Sequence, residues 1–176
     1  MVDEVEADLA ELLQRTIAAL EASGAHDEAL GEYRRKKGLL GLGGSVVLVP
    51  VGRAWRVGRL LLTRDGRIFD VGTTTRAVDP RHPNYQSVSG EDRRDDRRAA
   101  FEGDFAEGEV VNHDFTPIAV DAQALSAGSG PLSVQDGRLV IEWAKGQKAV
   151  PLAGYLVERV ALLRKRDGWD EPDMAG

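Results

Sequence analysis

The stretch from Trp55 to Arg76 constrains the fold of this chain more than any other, because its residue pattern reads as one β-hairpin turning at Asp65-Gly66. Asp-Gly is the dipeptide that a two-residue type I′ loop favours, since both of its central positions take positive φ. Such a loop sets Arg64 opposite Arg67, Leu62 opposite Phe69, Leu60 opposite Val71 and Gly58 opposite Thr73. Alternation then gathers Leu60, Leu62, Phe69 and Val71 on a core face, continued by Gly58, Arg56, Thr73 and Thr75. The other face carries Trp55, Val57, Arg59, Leu61, Asp70 and Arg76. Trp55 lies opposite Arg76 at cation–π distance, and Arg59 lies diagonal to Asp70.

One side chain is out of place in that pattern. Arg56 falls on the apolar face, where an unpaired guanidinium costs several kcal/mol. Its partner is a structural carboxylate, solvent at a strand end, or an anionic ligand. Gly58 and Thr73 leave room beside it, so Arg56, Thr73 and Thr75, joined by Tyr85 or His82 from the next loop, form a candidate pocket for a carboxylate or phosphate.

The rest of the chain surrounds this centre with helices. Asp3 to Ser23 carries Val5, Leu9, Leu12, Leu13, Ile17 and Leu20 at helical spacing, opens with a capping-box pair in Asp3 and Glu6, and stops at Gly24. A second helix is expected from about Asp27 to Lys37, its Arg34-Arg35-Lys36-Lys37 quartet forming a solvated last turn. Gly38 to Gly44 reads as a connector into a strand at Ser45 to Pro50, since phosphate-binding glycine loops follow a strand and open a helix. Val78 to Val88 is an irregular loop with prolines on both sides of His82. A helix from about Gly90 to Phe105 follows, capped by Ser89, with Ala100, Phe101 and Phe105 inward and mixed charges pairing along its surface. Glu109 to Asn112 and Pro117 to Val120 read as one strand interrupted near His113, and Ala122 to Gly130 as a mobile segment. A second hairpin turns at Asp136-Gly137, with Val134 opposite Leu139 and Leu132 opposite Ile141. The two Asp-Gly turns share chemistry and do not mark a repeat. Pro151 opens a last helix striped by Leu152, Tyr155, Leu156, Val160 and Leu163, and an acidic, frayed tail follows from Asp167.

These elements predict an α+β fold: a mainly antiparallel sheet built from the two Asp-Gly hairpins, with N-terminal and C-terminal helices packed on one face. The 176 residues suit a single domain over residues 1–166. A net charge of −6 gives no global field for nucleic acid or anionic lipid. The chain holds no apolar run near the ~20 residues that cross a bilayer. Its acidic start and lack of cysteine lead to a cytoplasmic expectation, and the latter removes thiol catalysis, disulfides and thiolate metal sites.

Over Gly52 to Arg76, His82-Pro83-Asn84-Tyr85-Gln86-Ser87 and Phe105-Ala106-Glu107-Gly108-Glu109, the chain resembles an uncharacterised family of small proteins from high-GC bacteria whose members sometimes carry a glutaminase label. The resemblance implies glutamine hydrolysis, but the motifs do not supply it. Serine has no lysine three residues on, and cysteine is absent. Leu60 to Val71 is similar to a strand pair of the Nudix fold, yet the glutamate-rich helix that holds its Mg²⁺ is missing. Neither G-x-S-x-G nor H-E-x-x-H occurs.

Three histidines carry the remaining chemistry. His26 is expected at the surface. His82, His113 and Asp114 compose a two-His, one-carboxylate set by residue type, but their spacing does not single out a metal site, and no metal or other cofactor is assigned. Two readings follow. The first is a non-catalytic binding or interaction module for a small anion or another protein, with an anion site near Arg56. The second is a hydrolase of a small amide or phosphate with His82 or His113 as general base, Asp114 beside it, and Arg56 holding the anion.

Overall fold

The computed structural model describes residues 2–36, 44–79 and 88–167, with side chains at 4–36, 44–79 and 93–165. The loop readings that involve His82 and Tyr85, most of the glycine-rich connector and the acidic tail lie outside the described residues. The structure is α+β. Strands hydrogen-bond in the order β5-β6-β1-β2-β3-β4-β7, and a separate sheet has the order β10-β9-β8. Two compact units divide the chain: residues 1–27, 55–70 and 116–176 form the first, and 28–54 and 71–115 the second.

In the first unit, helix α1 (Val2–Ala22) follows its leucine stripe: Leu9, Leu12, Leu13, Ile17 and Leu20 are all buried. It ends as Gly24 requires, with φ +64°, Gly24 N–H donating to Glu21 O at 3.0 Å and Ala25 N–H to Leu20 O at 3.1 Å. Against α1 packs helix α4 (Leu152–Asp167), whose expected stripe Leu152, Tyr155, Leu156, Val160 and Leu163 is buried in the same core. Ala122–Ala127 is a short helix, α3, where mobility was expected. Asp121 caps it by accepting from Ala124 N–H at 2.9 Å, and Leu125 is fully buried.

The central hairpin is corrected by the structure. Strand β2 (Val46–Val57) turns at Gly58-Arg59 into β3 (Leu60–Leu62), which pairs with β4 (Ile68–Asp70), so three short strands stand where two long ones were expected. Gly58 takes φ +67°, a conformation that ends a strand. The Asp65-Gly66 turn also differs by one residue. Leu62 faces Ile68 and Leu60 faces Asp70, because Thr63 closes a three-residue loop: its N–H donates to Arg67 O at 3.0 Å and its hydroxyl accepts from Arg67 N–H at 3.0 Å. A one-residue shift exchanges faces. Trp55, Val57, Leu60, Leu62 and Ile68 therefore share the core, while Arg56 lies with Leu61 and Phe69. The guanidinium over Trp55 belongs to Arg64, at 4.6 Å, and Arg76 instead donates to Gly108 O. The Arg59–Asp70 pair is present at 3.1 Å.

The unit is completed by strand β7 (Thr116–Pro117) on β4 and by the second Asp-Gly hairpin. There β8 (Leu132–Gln135) pairs with β9 (Arg138–Ile141) in the expected register, Val134 to Leu139 and Leu132 to Ile141, and β10 (Val150–Pro151) adds to β9. Asp136 and Gly137 both have positive φ, as a two-residue loop demands.

In the second unit the expected helix at Asp27 to Lys37 is strand β1 (Glu28–Arg35), antiparallel to β2 and parallel to β6 (Val110–His113). Pairing on both sides outweighs a modest helix propensity. Gly31 makes this geometry accessible, since a Cβ there would meet Val111 Cγ1 at 2.8 Å. Pro50, opposite Gly31, sits at the bulge where its missing N–H is tolerated. Strand β5 (Thr73–Arg76) borders β6, and α2 (Val88–Phe101) packs on β5. Ala29, Leu48, Ala77, Ala99, Ala100 and Val111 form this unit's own core, with Phe105 against it. Phe101, expected inward, is 41% exposed because α2 ends there.

Candidate functional site

The residues of the expected anion pocket do not share the strand pairing that grouped them. Arg56 is half-buried opposite Leu61, whereas Thr73 and Thr75 lie on β5, opposite His113 and Val111. Thr75 is buried and Thr73 exposed. The pairing of Gly58 with Thr73 is replaced because β2 turns back at Gly58 and β5 finds β6.

His113 ends β6 and is 1% exposed. Asp114, held at φ +55°, brings its carboxylate to His113 Nδ1 at 2.9 Å. An ionised carboxylate only accepts, so Nδ1 is the donor in this contact. Nε2 lies 3.7 Å from Asp96 Oδ2 of α2, without a hydrogen-bond partner among the described residues. Asp96 is already engaged by the Tyr33 hydroxyl, and the Tyr33 ring meets His113 edge-on at 5.4 Å. Burial and this bond to Asp96 push the Tyr33 hydroxyl well above the ordinary tyrosine range. Asp114 thus orients His113 as a base would be oriented, but Nε2 is enclosed by Asp96 and Tyr33. His26 is exposed. Among the described residues no group of three or more His, Asp or Glu is arranged to hold a metal ion.

A different surface stands out in the first unit. Between α1 and α4 runs an open groove of ≈ 430 Å³ whose buried lining is Leu12 and Thr16 from α1 and Leu156 and Val160 from α4, joined by the exposed small side chains Ala19, Ala153 and Ala161. Val157 stands beside them with 70% of its surface exposed. Arg15 and Arg164 also line it, both exposed. Arg15 is met by Glu11 at 3.6 Å, an exposed i,i+4 pair of the kind that is easily exchanged. Sequence reading passed over this surface because it follows one stripe per helix. The signal was a second stripe on α4, Ala153, Val157 and Ala161 at i, i+4 and i+8, adjacent to the buried one.

Among the described residues no helix is long and apolar enough to cross a membrane. Compared with family models, curated proteins and solved structures, the chain matches none of them.

Proposed function

We propose that this chain is a non-catalytic interaction module whose α1–α4 groove receives an amphipathic helix of a partner protein, one with acidic residues flanking its apolar stripe. The observation that carries the reading is Val157, a branched apolar side chain left 70% exposed in a groove lined by Leu12, Leu156 and Val160 and by the exposed Ala19, Ala153 and Ala161. Small residues on facing helices let a third helix approach to the usual 8–10 Å, and Val157 supplies the knob such a helix would cover. The guanidiniums of Arg15 and Arg164 fix the sign of the partner's flanks. We keep the cytoplasm as the location in this reading, which the cysteine-free composition supports.

The hydrolytic alternative has less support. His113 and Asp114 supply an oriented imidazole, but a general base needs its lone pair within reach of a substrate proton, and Nε2 is buried against α2.

The test is fluorescence anisotropy with a labelled helical peptide bearing Leu at heptad a and d positions and Glu elsewhere, with a Lys-for-Glu peptide as control. The acidic peptide is expected to bind and the basic one not to. Val157→Asp should weaken binding at least about tenfold, the equivalent of about 1.4 kcal/mol, while leaving the urea midpoint within error. Equal binding of both peptides, or no effect of Val157→Asp, would refute the assignment of the groove.

A further inference from the structure

We propose that Asp136-Gly137 is a site of spontaneous covalent modification, at which the main chain isomerises through a succinimide to isoaspartate and weakens the β8–β9 hairpin, while the same dipeptide at Asp65-Gly66 is protected. An Asp-Gly pair is chemically labile because glycine has no side chain to shield its nitrogen. The Gly137 nitrogen attacks Cγ of the protonated Asp136 carboxyl, an N–Cγ bond forms, and the amide proton leaves with the carboxyl hydroxyl as one water. Water then opens the ring. Addition at Cγ restores aspartate, whereas addition at the Asp136 carbonyl carbon breaks its bond to the Gly137 nitrogen and leaves the chain running through Cγ. One water leaves and one enters, so the step needs no other reactant.

The two turns differ at the atoms this reaction uses. Among the described residues the Asp136 carboxylate accepts no hydrogen bond and forms no ion pair, and the Gly137 N–H donates to no backbone carbonyl. Both residues are exposed, and nothing lies within 4 Å of where a Cβ on Gly137 would stand, so the ring closes without displacing a neighbour. At Asp65 the Thr63 hydroxyl donates to one carboxylate oxygen and Arg67 Nε to the other, the latter at 2.8 Å. The attacking nitrogen is committed as well, since Gly66 N–H donates to Thr63 O at 3.1 Å. The bonds from Thr63 and Arg67 also hold the Asp65 carboxyl below the ordinary aspartate range, which makes the neutral form that loses water scarce there. Asp167-Gly168 repeats the dipeptide, but its glycine lies outside the described residues. Isoaspartate adds one atom to the main chain inside a two-residue loop. That loop sets Leu132 opposite Ile141, both buried in the core of the first unit, so a longer loop strains the register of the core.

The experiment incubates the full chain in water enriched in ¹⁸O, folded and in guanidinium chloride, digests it in ordinary water, and reads label and isoaspartate at each site from fragmented peptides. Each passage through the succinimide leaves one heavy oxygen behind. In the denatured chain neither turn keeps its hydrogen bonds, so the two sites there give the intrinsic ratio. Relative to that ratio, folded Asp136 should take up label at least about tenfold faster than Asp65, the equivalent of about 1.4 kcal/mol in the barrier. A folded ratio equal to the denatured one, or a folded Asp136 that takes up no label, overturns the proposal. Pulse proteolysis of the aged protein at its urea midpoint reads the hairpin. A fivefold fall in the folded-to-unfolded ratio takes the intact share of modified molecules from about one half to about one sixth. Isoaspartate at 136 that is equally abundant in intact and digested protein would refute the weakening of the hairpin.

Discussion

Replacing Thr63 by valine should cost the protein about 1–2 kcal/mol, although the two side chains have nearly the same shape. Thr63 is 4% exposed, and its hydroxyl does two things at once: it accepts the Arg67 N–H at 3.0 Å and donates to the Asp65 carboxylate. Valine fills the volume and leaves the Arg67 N–H without its acceptor. A buried donor orphaned in this way costs about 1–3 kcal/mol, and the exposure of Arg67 places the expected value toward the lower end. Loss of the Asp65 contact adds little because that carboxylate is well exposed. The turn does not escape by sliding to a two-residue loop. Such a slip would carry Ile68, 3% exposed and part of the first unit's core, to the opposite face of β4. Urea denaturation followed by circular dichroism measures the change, and the slope against denaturant should be unchanged because the same surface is buried. Val134→Thr is the matched control. In the hairpin at Asp136-Gly137 both turn residues already have positive φ and the loop closes without a hydroxyl, so this variant should gain no stability. A neutral Thr63→Val, or a stabilising Val134→Thr, would refute the claim that the hydroxyl selects the loop.

Two further outcomes follow from the same region. The hydrogen bond from Thr63, and then the one from Arg67, hold the Asp65 carboxyl below the ordinary aspartate range. A depressed folded pKa contributes stability that is complete above the unfolded value of ~3.9 and is lost as pH falls through the folded value. Wild type should therefore exceed Asp65→Asn in urea midpoint at neutral pH, and the difference should shrink only on acidification below about pH 4. A gap that is constant down to the acid transition would contradict it. Gly58→Ala should destabilise by more than the ~1 kcal/mol that a left-handed alanine alone costs. Its methyl would collide with the Tyr155 hydroxyl, which accepts the Arg59 N–H at 2.8 Å. In urea unfolding, adding Tyr155→Phe should recover part of the loss, since the phenyl ring lacks the colliding oxygen. No recovery would refute the hydroxyl as the main obstacle and leave the backbone strain, the contacts at 3.0 Å with the Tyr155 ring and Arg159 Cδ, and the lost acceptor of the Arg59 N–H to account for the cost.

The contrast between the two Asp-Gly turns shows what a sequence reveals about register. Dipeptide chemistry locates both turns, and alternation pairs Val134 with Leu139 and Leu132 with Ile141 correctly. The first turn differs in a residue two positions before the aspartate, Thr63 in place of Val134, whose hydroxyl substitutes for a backbone partner and lengthens the loop by one. That signal is local and was available. Gly58 was also visible, but a glycine in a strand pattern admits both a turn and a bare patch beside a cavity. Only the pairing of Val57 with Leu60 decides between them. Strand β1 is a different case. Nothing local distinguishes Glu28–Arg35 from a short helix, and its strand identity comes from β2 on one side and β6 on the other, the latter reached across about 80 residues of chain. The helices were legible because a buried stripe at period 3.6 is written along one segment. The groove on α4 is written in the same way, in the residues that stripe leaves out. Ala153, Val157 and Ala161 form a second apolar row that the core does not use, and this row, edged by arginines, is the surface on which the proposed docking of a partner helix rests.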